Sequence, residues 1–280
     1  VHLTMERPLP PTEQSGPVED LHTLSVRELL DAMHRVDDDV QSAVLAAMPA
    51  LTALTEALVD RMREGGRLFY LGAGTSGRLG VVDASECPPT FGVASDRVVG
   101  IMAGGDSAIR AAVEGAEDDA EQGWKDLKAH GIQAQDTVVG IAASGRTPYV
   151  IGALRQARLR GVLTGCVTCN PESQIIQACD HPVVAVTGPE FVTGSTRMKA
   201  GTATKLILNR LTTATMIQLG HVHGNRMVDM QLTNAKLMQR GARMVAEATG
   251  LGLVESEALL TSYGSVRAAV DAHQQGHART

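Results

Sequence analysis

The stretch Leu71-Gly72-Ala73-Gly74-Thr75-Ser76-Gly77-Arg78 decides how the chain is read. Ahead of it, Arg67-Leu68-Phe69-Tyr70-Leu71 has the apolar, partly aromatic run of a short buried strand, entered from the Gly65-Gly66 pair. Behind it, Leu79, Val81 and Val82 continue as one short helix. A strand that ends in glycines and turns into a helix leaves backbone N–H groups free at the positive end of that helix. Such an end attracts anions, phosphate above all. The hydroxyls of Thr75 and Ser76 add donors at the same spot, and Gly74 keeps the turn open.

Gly72, Gly74 and Gly77 also spell G-x-G-x-x-G, the dinucleotide fingerprint. That fingerprint expects an acid roughly 20 positions later to hold a ribose. Here the second strand, Val98-Val99-Gly100-Ile101-Met102, runs into Ala103-Gly104-Gly105 with no acid. A nicotinamide or flavin site is therefore disfavoured. Two readings remain, a phosphate cradle and a tight turn that merely needs glycine, and the cradle is preferred.

Strand and helix signals alternate from residue 67 onward. Strands are expected at 67–71, 97–102, 136–142, 162–168 and 182–186, with helices at about 107–122, 148–160 and 172–178 between them. Five such strands, apolar along their length, predict an α/β fold: a five-stranded parallel sheet sandwiched by helices in flavodoxin-like order. Ligands of such sheets sit beyond the strand C-termini. In that order strands one and three are neighbours, so the turn at 72–77 meets a second one, Ala143-Ser144-Gly145-Arg146-Thr147-Pro148. The Ser144 and Thr147 hydroxyls, Gly145 and a helix start opened by Pro148 repeat the first turn's chemistry, and two hydroxyl-rich helix starts can grip one phosphate. The alternative is that Ser144 and Thr147 simply cap a helix.

The flanks divide into a loose arm over 1–20, helices over 21–62 and a small helical region over 223–280, around a sheet domain at 63–222. Ser25 and Glu28 form a capping box, and Pro49 is a candidate break. Thr193 to about Gly220 opens a long, largely apolar helical region, and a further helix is expected over Met227–Thr249.

Composition narrows the function. The 280 residues are 44% hydrophobic, enough for a large core, but only 2% aromatic, so that core rests on aliphatic side chains. With a net charge of −6 and no basic run, nucleic acid is not an expected partner. No apolar run is read as approaching the roughly 18 residues that span a bilayer, and the polar first residues lack a signal-peptide core. No membrane association and a cytoplasmic location are expected. Cys166-Val167-Thr168-Cys169 has C-x-x-C spacing but no second pair to complete a zinc site, and reads as two small apolar residues beside a turn. His221-Val222-His223 has ligand-like spacing without a third ligand and reads as surface.

Two carboxylates stand out. Glu86 precedes Cys87-Pro88-Pro89, and proline biases its predecessor away from helix. Glu86 is thus expected at the C-terminus of the first turn's helix, where the dipole favours a protonated carboxyl. In the expected helix 107–122, Glu117 is the acid nearest the apolar stripe, about 80° from Ile109 at 100° per residue. Either residue also reads as an ordinary surface acid.

Taken together, Gly72–Gly80, Asp83-Ala84-Ser85-Glu86-Cys87-Pro88-Pro89-Thr90, Val113–Asp118, Ala142–Tyr149 and Gly194–Thr202 resemble the phosphosugar-binding sugar isomerase (SIS) fold family. Within it they are similar to the N-acetylmuramic acid 6-phosphate etherases, over about residues 20–250. The resemblance implies cleavage of a D-lactyl ether to N-acetylglucosamine 6-phosphate and D-lactate, a carbon–oxygen lyase reaction of amino sugar and peptidoglycan recycling. It passes through a ring-opened aldehyde, syn-type elimination and water addition, without metal or redox cofactor. It places the acid on Glu86 and the base on Glu117. It puts substrate-binding roles on Gly74, Thr75, Ser76, Ser144, Gly145, Arg146, Thr147 and Lys199, and implies a homodimer. A phosphosugar sensor without turnover is the competing reading; retention of both glutamates speaks against it.

Overall fold

The structure, a computed structural model, describes residues 9–232 and 234–277. Five parallel strands form the central sheet: β1 (Leu68–Gly72), β2 (Val98–Met102), β3 (Thr137–Ile141), β4 (Leu163–Thr168) and β5 (His181–Val184). Their order is β2-β1-β3-β4-β5, the flavodoxin-like order expected, and Gly72 pairs with Ile141. The turns that leave β1 and β3 therefore emerge side by side. Both strands are buried at every position, so their apolar runs follow from having helices on both faces.

On one face lie α1 (Val26–Val36), α2 (Asp38–Arg63), α3 (Gly74–Phe91) and α8 (Lys199–Gln218). Leu54, Leu58, Tyr70, Ile141, Ile207 and Leu211 join in the core there. The other face carries α5 (Gln122–Ala129), α6 (Pro148–Arg158) and α7 (Gln174–Gln177), with Phe69, Leu71, Leu127, Val150, Leu154 and Ile175 packed together, while the short α4 (Ser107–Arg110) lies against α3. Alternate residues of β1 feed the two cores, as the strand's period of two requires. A hairpin, β6 (Val222–His223) with β7 (Arg226–Met227), leads to α9 (Ala235–Thr249), α10 (Leu253–Tyr263) and α11 (Val266–His277). These share a smaller core of Met230, Val245, Leu260, Val266 and Ala269. The expected helix 227–249 begins only at 235, where the Asn234 side chain accepts from the Leu237 N–H.

Several local expectations change. The capping box at Ser25 and Glu28 forms, but Pro49 does not break α2. Nor do Pro88 and Pro89 end α3, which runs to Phe91 and stops at Gly92 in the left-handed conformation. Ala84, Cys87 and Phe91 are buried in the same core, and that packing outweighs the missing proline N–H groups. The expected helix 107–122 exists only as α4 and the first residue of α5; residues 111–121 form turns, with Gly115 at φ +73°. Asp119 accepts from the Glu121 and Gln122 N–H groups at 2.9 and 3.1 Å and so sets the start of α5. One stretch within Val26–Arg63 is apolar enough, by length and composition alone, to cross a membrane, contrary to expectation; Leu51, Leu54, Leu58 and Met62 of this stretch face the sheet core. The arm expected to be loose over 1–20 is anchored at Thr12, which is fully buried, while most of its other described residues are exposed or half-buried. The rest of that expectation, residues 1–8, lies outside the described residues.

Asp83 ties the layers together. Its buried carboxylate accepts from Tyr70 Oη of β1 at 2.9 Å, and from Asn209 Nδ2 and Thr212 Oγ1 of α8 at 2.6 and 3.2 Å. Burial raises its pKa despite these donors. Asp83→Ala removes the acceptor shared by Tyr70, Asn209 and Thr212 and is expected to cost about 2–4 kcal/mol in urea unfolding; a loss below about 0.5 kcal/mol would count against the clasp. A raised folded pKa means that the native state binds the proton more tightly than the unfolded chain. The Asp83 contribution is therefore largest at pH values below its ordinary 3.8 and declines as pH rises through the raised value. Asp83→Asn should remove that part of the acid-side pH dependence of the unfolding midpoint.

Candidate functional site

At the β1–α3 turn the three fingerprint glycines have separate tasks. A Cβ on Gly72 would lie 2.7 Å from Gly77 N, so these two let the strand end press against the helix start, while Gly74 takes φ +53°. The first intrahelical bond runs from Gly77 N–H to Ala73 O. The N–H groups of Thr75 and Ser76 precede it and have no intrahelical acceptor. Among the described residues the hydroxyls of Thr75 and Ser76 have no hydrogen-bond partner, and no side chain caps α3. Gly74 and Thr75 are exposed and Ser76 half-buried, so the donors are open to a ligand. Glycine here serves the turn, and the start of α3 is left open.

The β3–α6 turn is its neighbour. Gly145, at φ +65°, sits where a Cβ would come 2.2 Å from Ser173 Oγ, and its carbonyl accepts from Ile175 N–H at 3.1 Å. Thr147 stands at the N-cap of α6, yet its side chain does not cap, which leaves that hydroxyl available. Ser144 Oγ accepts from Arg146 N–H at 3.3 Å and keeps its own proton to donate. Both residues are half-buried; Arg146 is exposed and its guanidinium is uncommitted among the described residues. Unlike α3, α6 offers few free backbone donors: Pro148 has no N–H, and Tyr149 N–H goes to Glu117 O at 3.0 Å.

A third helix start, that of α8, borders the first turn, a Cβ on Gly201 falling 3.7 Å from Thr75 Cγ2. It is already occupied by the protein's own anion. The fully buried Glu190 carboxylate accepts from Lys199 N–H and Ala200 N–H, each at 2.9 Å. Lys199 itself is buried, and its ammonium pairs with Asp39 of α2 at 2.8 Å. In this arrangement Lys199 joins α8 to α2.

The two glutamates part company. Glu117 lies on the 111–121 turns, exposed, and lines a cavity of about 190 Å³ with Gly74, Arg78 and Gly115. With its carbonyl on α6, it stands between both hydroxyl-bearing turns. Arg78 secures that wall by donating to the carbonyls of Ala108 and Ile109 at 2.8 and 2.9 Å. Glu86 is exposed on α3 but, at 1.5 Å per residue, lies about 18 Å along the axis from Gly74. It is not at the helix end, so the dipole argument for its protonation does not apply. Glu117 is brought to the cradle; Glu86 of the same chain is not.

Other sequence candidates resolve as structure. All four cysteines are buried free thiols. The Cys169 pKa is pushed up to about 12 by burial, and that of Cys166 is raised by its hydrogen bond with Cys179 and by burial. No group of three or more potential metal ligands occurs among the described residues. His221 is half-buried, its Nδ1 3.2 Å from Asp229, which also pairs with Arg267 of α11. Sequence reading passed over Glu190, Asn170 and Thr12. The first two lie in or beside loops at strand C-termini, which was the available signal; nothing local marked Thr12.

Comparison with known proteins follows the same lines. Residues 50–158 match the model of the glucokinase regulatory protein N-terminal SIS domain, and residues 118–214 that of the SIS domain. In fold, the chain is similar to a phosphoheptose isomerase from Francisella tularensis (TM-score 0.54, 17% identity, 69% of this chain and 100% of that one). It is also similar to one from Neisseria gonorrhoeae (TM-score 0.50, 18% identity, 68% and 99%). In sequence it is 53% identical to the N-acetylmuramic acid 6-phosphate etherase of Bacteroides fragilis, over 95% of this chain and 94% of the relative. The corresponding protein of Christiangramia forsetii is 52% identical over 96% and 98%, and that of Salmonella agona 53% identical over 86% and 81%. With that identity along almost its whole length, the chain belongs to the N-acetylmuramic acid 6-phosphate etherase family.

Proposed function

We propose that this protein is a lyase that cleaves the D-lactyl ether of N-acetylmuramic acid 6-phosphate, giving N-acetylglucosamine 6-phosphate and D-lactate. The observation that carries this reading is the 53% identity to a relative of that name over 95% of the chain. The phosphosugar-binding unit is residues 63–222, with helices 21–62 before it and the helical region 223–280 after it. Its place is in peptidoglycan recycling in the cytoplasm, a reducing compartment that suits four buried free thiols.

The phosphate rests on the free N–H groups at the start of α3 and on the hydroxyls of Thr75, Ser76, Ser144 and Thr147, with Arg146 at the rim. Anchoring that end turns the proton transfers into reactions of a fixed partner. With the ring open, the C1 aldehyde acidifies the hydrogen on C2. The Glu117 carboxylate removes it, Glu86 gives a proton to the lactate oxygen leaving C3, and water adds across the resulting double bond. Each transfer contributes about 10²–10⁴-fold.

The protein acts as a homodimer in which Glu86 comes from the second copy. A hexose 6-phosphate is far shorter than the roughly 18 Å of helix between Gly74 and Glu86. The exposed Val82, one turn before Glu86, gives that face an apolar contact for a second subunit.

Purified protein is expected to release D-lactate from N-acetylmuramic acid 6-phosphate; no release at any enzyme concentration would refute the assignment. Glu117→Gln should abolish solvent-deuterium exchange at C2, and Glu86→Gln should impair lactate departure while exchange continues. Mixing the two inactive variants tests the shared site. One intact site forms in each mixed dimer, so about a quarter of wild-type turnover should return after random exchange of subunits. Active wild type with a dead mixture would place both acids in one chain.

A further inference from the structure

We propose that Thr12 and Asn170 are positioning residues for the turn Ser144–Thr147, and that the N-terminal segment around them is a strap that holds this turn in its phosphate-binding shape. The inference rests on the reading that this turn holds the sugar phosphate. Thr12 is fully buried in a proline-rich segment that adds only one 3-10 turn, Pro11–Glu13, to the fold. A buried hydroxyl needs a partner, and Asn170 supplies it. Asn170 Nδ2 donates to Thr12 Oγ1 at 3.0 Å, and Thr12 N–H donates to Asn170 Oδ1 at 3.4 Å.

The second Nδ2 hydrogen of Asn170 donates to Ala143 O at 2.8 Å. Ala143 immediately precedes Ser144, and the same oxygen accepts from Cys169 N–H at 3.0 Å and Thr168 Oγ1 at 3.2 Å. With both amide hydrogens and the amide oxygen engaged, the Asn170 side chain has one orientation, and Ser144 inherits it through one residue. The strap is also tied at its far end. Gly16 N–H donates to Thr193 Oγ1 at 3.0 Å, and a Cβ on Gly16 would fall 2.7 Å from Glu190 O. The strap thus spans the loops after β4 and β5, at the sheet edge that carries the cradle. It buries a small polar side chain and leaves Leu9 exposed, so the loop it orders, more than any apolar core, accounts for its course. Sites carried on loops depend on such supporting bonds for their precision.

Thr12→Val keeps the volume, removes the hydroxyl and leaves one Asn170 hydrogen unpaired. Calorimetry with N-acetylglucosamine 6-phosphate should show Kd raised about tenfold, and turnover should show KM raised similarly with kcat within about twofold. Thr12→Ser should restore both constants. Ser25→Ala, which removes the α1 cap and none of the bonds of the strap, should lower Tm without changing Kd. If Thr12→Val fails to fold, Asn170→Ser, which keeps a shorter polar group, carries the same expectation. Thr12→Val with wild-type Kd and KM, and only a lowered Tm, would overturn the strap while leaving the etherase reading intact. A wild-type protein that binds no phosphosugar would overturn the functional reading, and the strap with it.

Discussion

Everything in this molecule is arranged around backbone N–H groups that the fold leaves unpaired at the start of α3. A helix start in a protein interior is normally satisfied by a cap, and the start of α8 shows how: the Glu190 carboxylate takes the Lys199 and Ala200 N–H groups. At α3 no side chain does so. Two helix starts lie side by side, then, one closed by an internal anion and one open to an external one. Glu190 makes the choice between them, since a phosphate cannot share the α8 start with a buried carboxylate.

The polar groups buried behind the cradle serve that geometry. Asp83 fastens α3 to both β1 and α8, while the ion pair of Lys199 with Asp39 fastens α8 to α2. Isolated, each would be a costly buried charge; paired, they fix how the helices sit around the sheet. The Gly72–Gly77 contact and the bonds to Ala143 O do the same at the scale of single turns. Glu117 stands beside the first of these turns, lining one cavity with Gly74.

The sheet was legible because its signals are local and mutually consistent: five apolar runs, glycine-rich exits and the neighbourhood of β1 and β3 follow from strand period and crossover rules. The hydroxyl turns were legible for the same reason. What failed was decided by tertiary packing. Pro88 locally favours a helix end at Glu86, but the buried Ala84, Cys87 and Phe91 carry α3 past it. The helix expected over 107–122 is broken into turns by Gly115 and the Asp119 bonds. The partner of Lys199, Asp39, lies 160 positions away, beyond any local pattern. Thr12 could not be flagged at all, because its burial depends on Asn170, 158 positions on.

The most direct test is a crystal structure with N-acetylglucosamine 6-phosphate bound. The phosphate should lie within hydrogen-bonding distance of the Thr75 and Ser76 N–H groups and of the Ser76, Ser144 and Thr147 hydroxyls, with C2 toward Glu117. A phosphate seated instead at the start of α8, with Glu190 displaced, or away from both turns, would contradict the account.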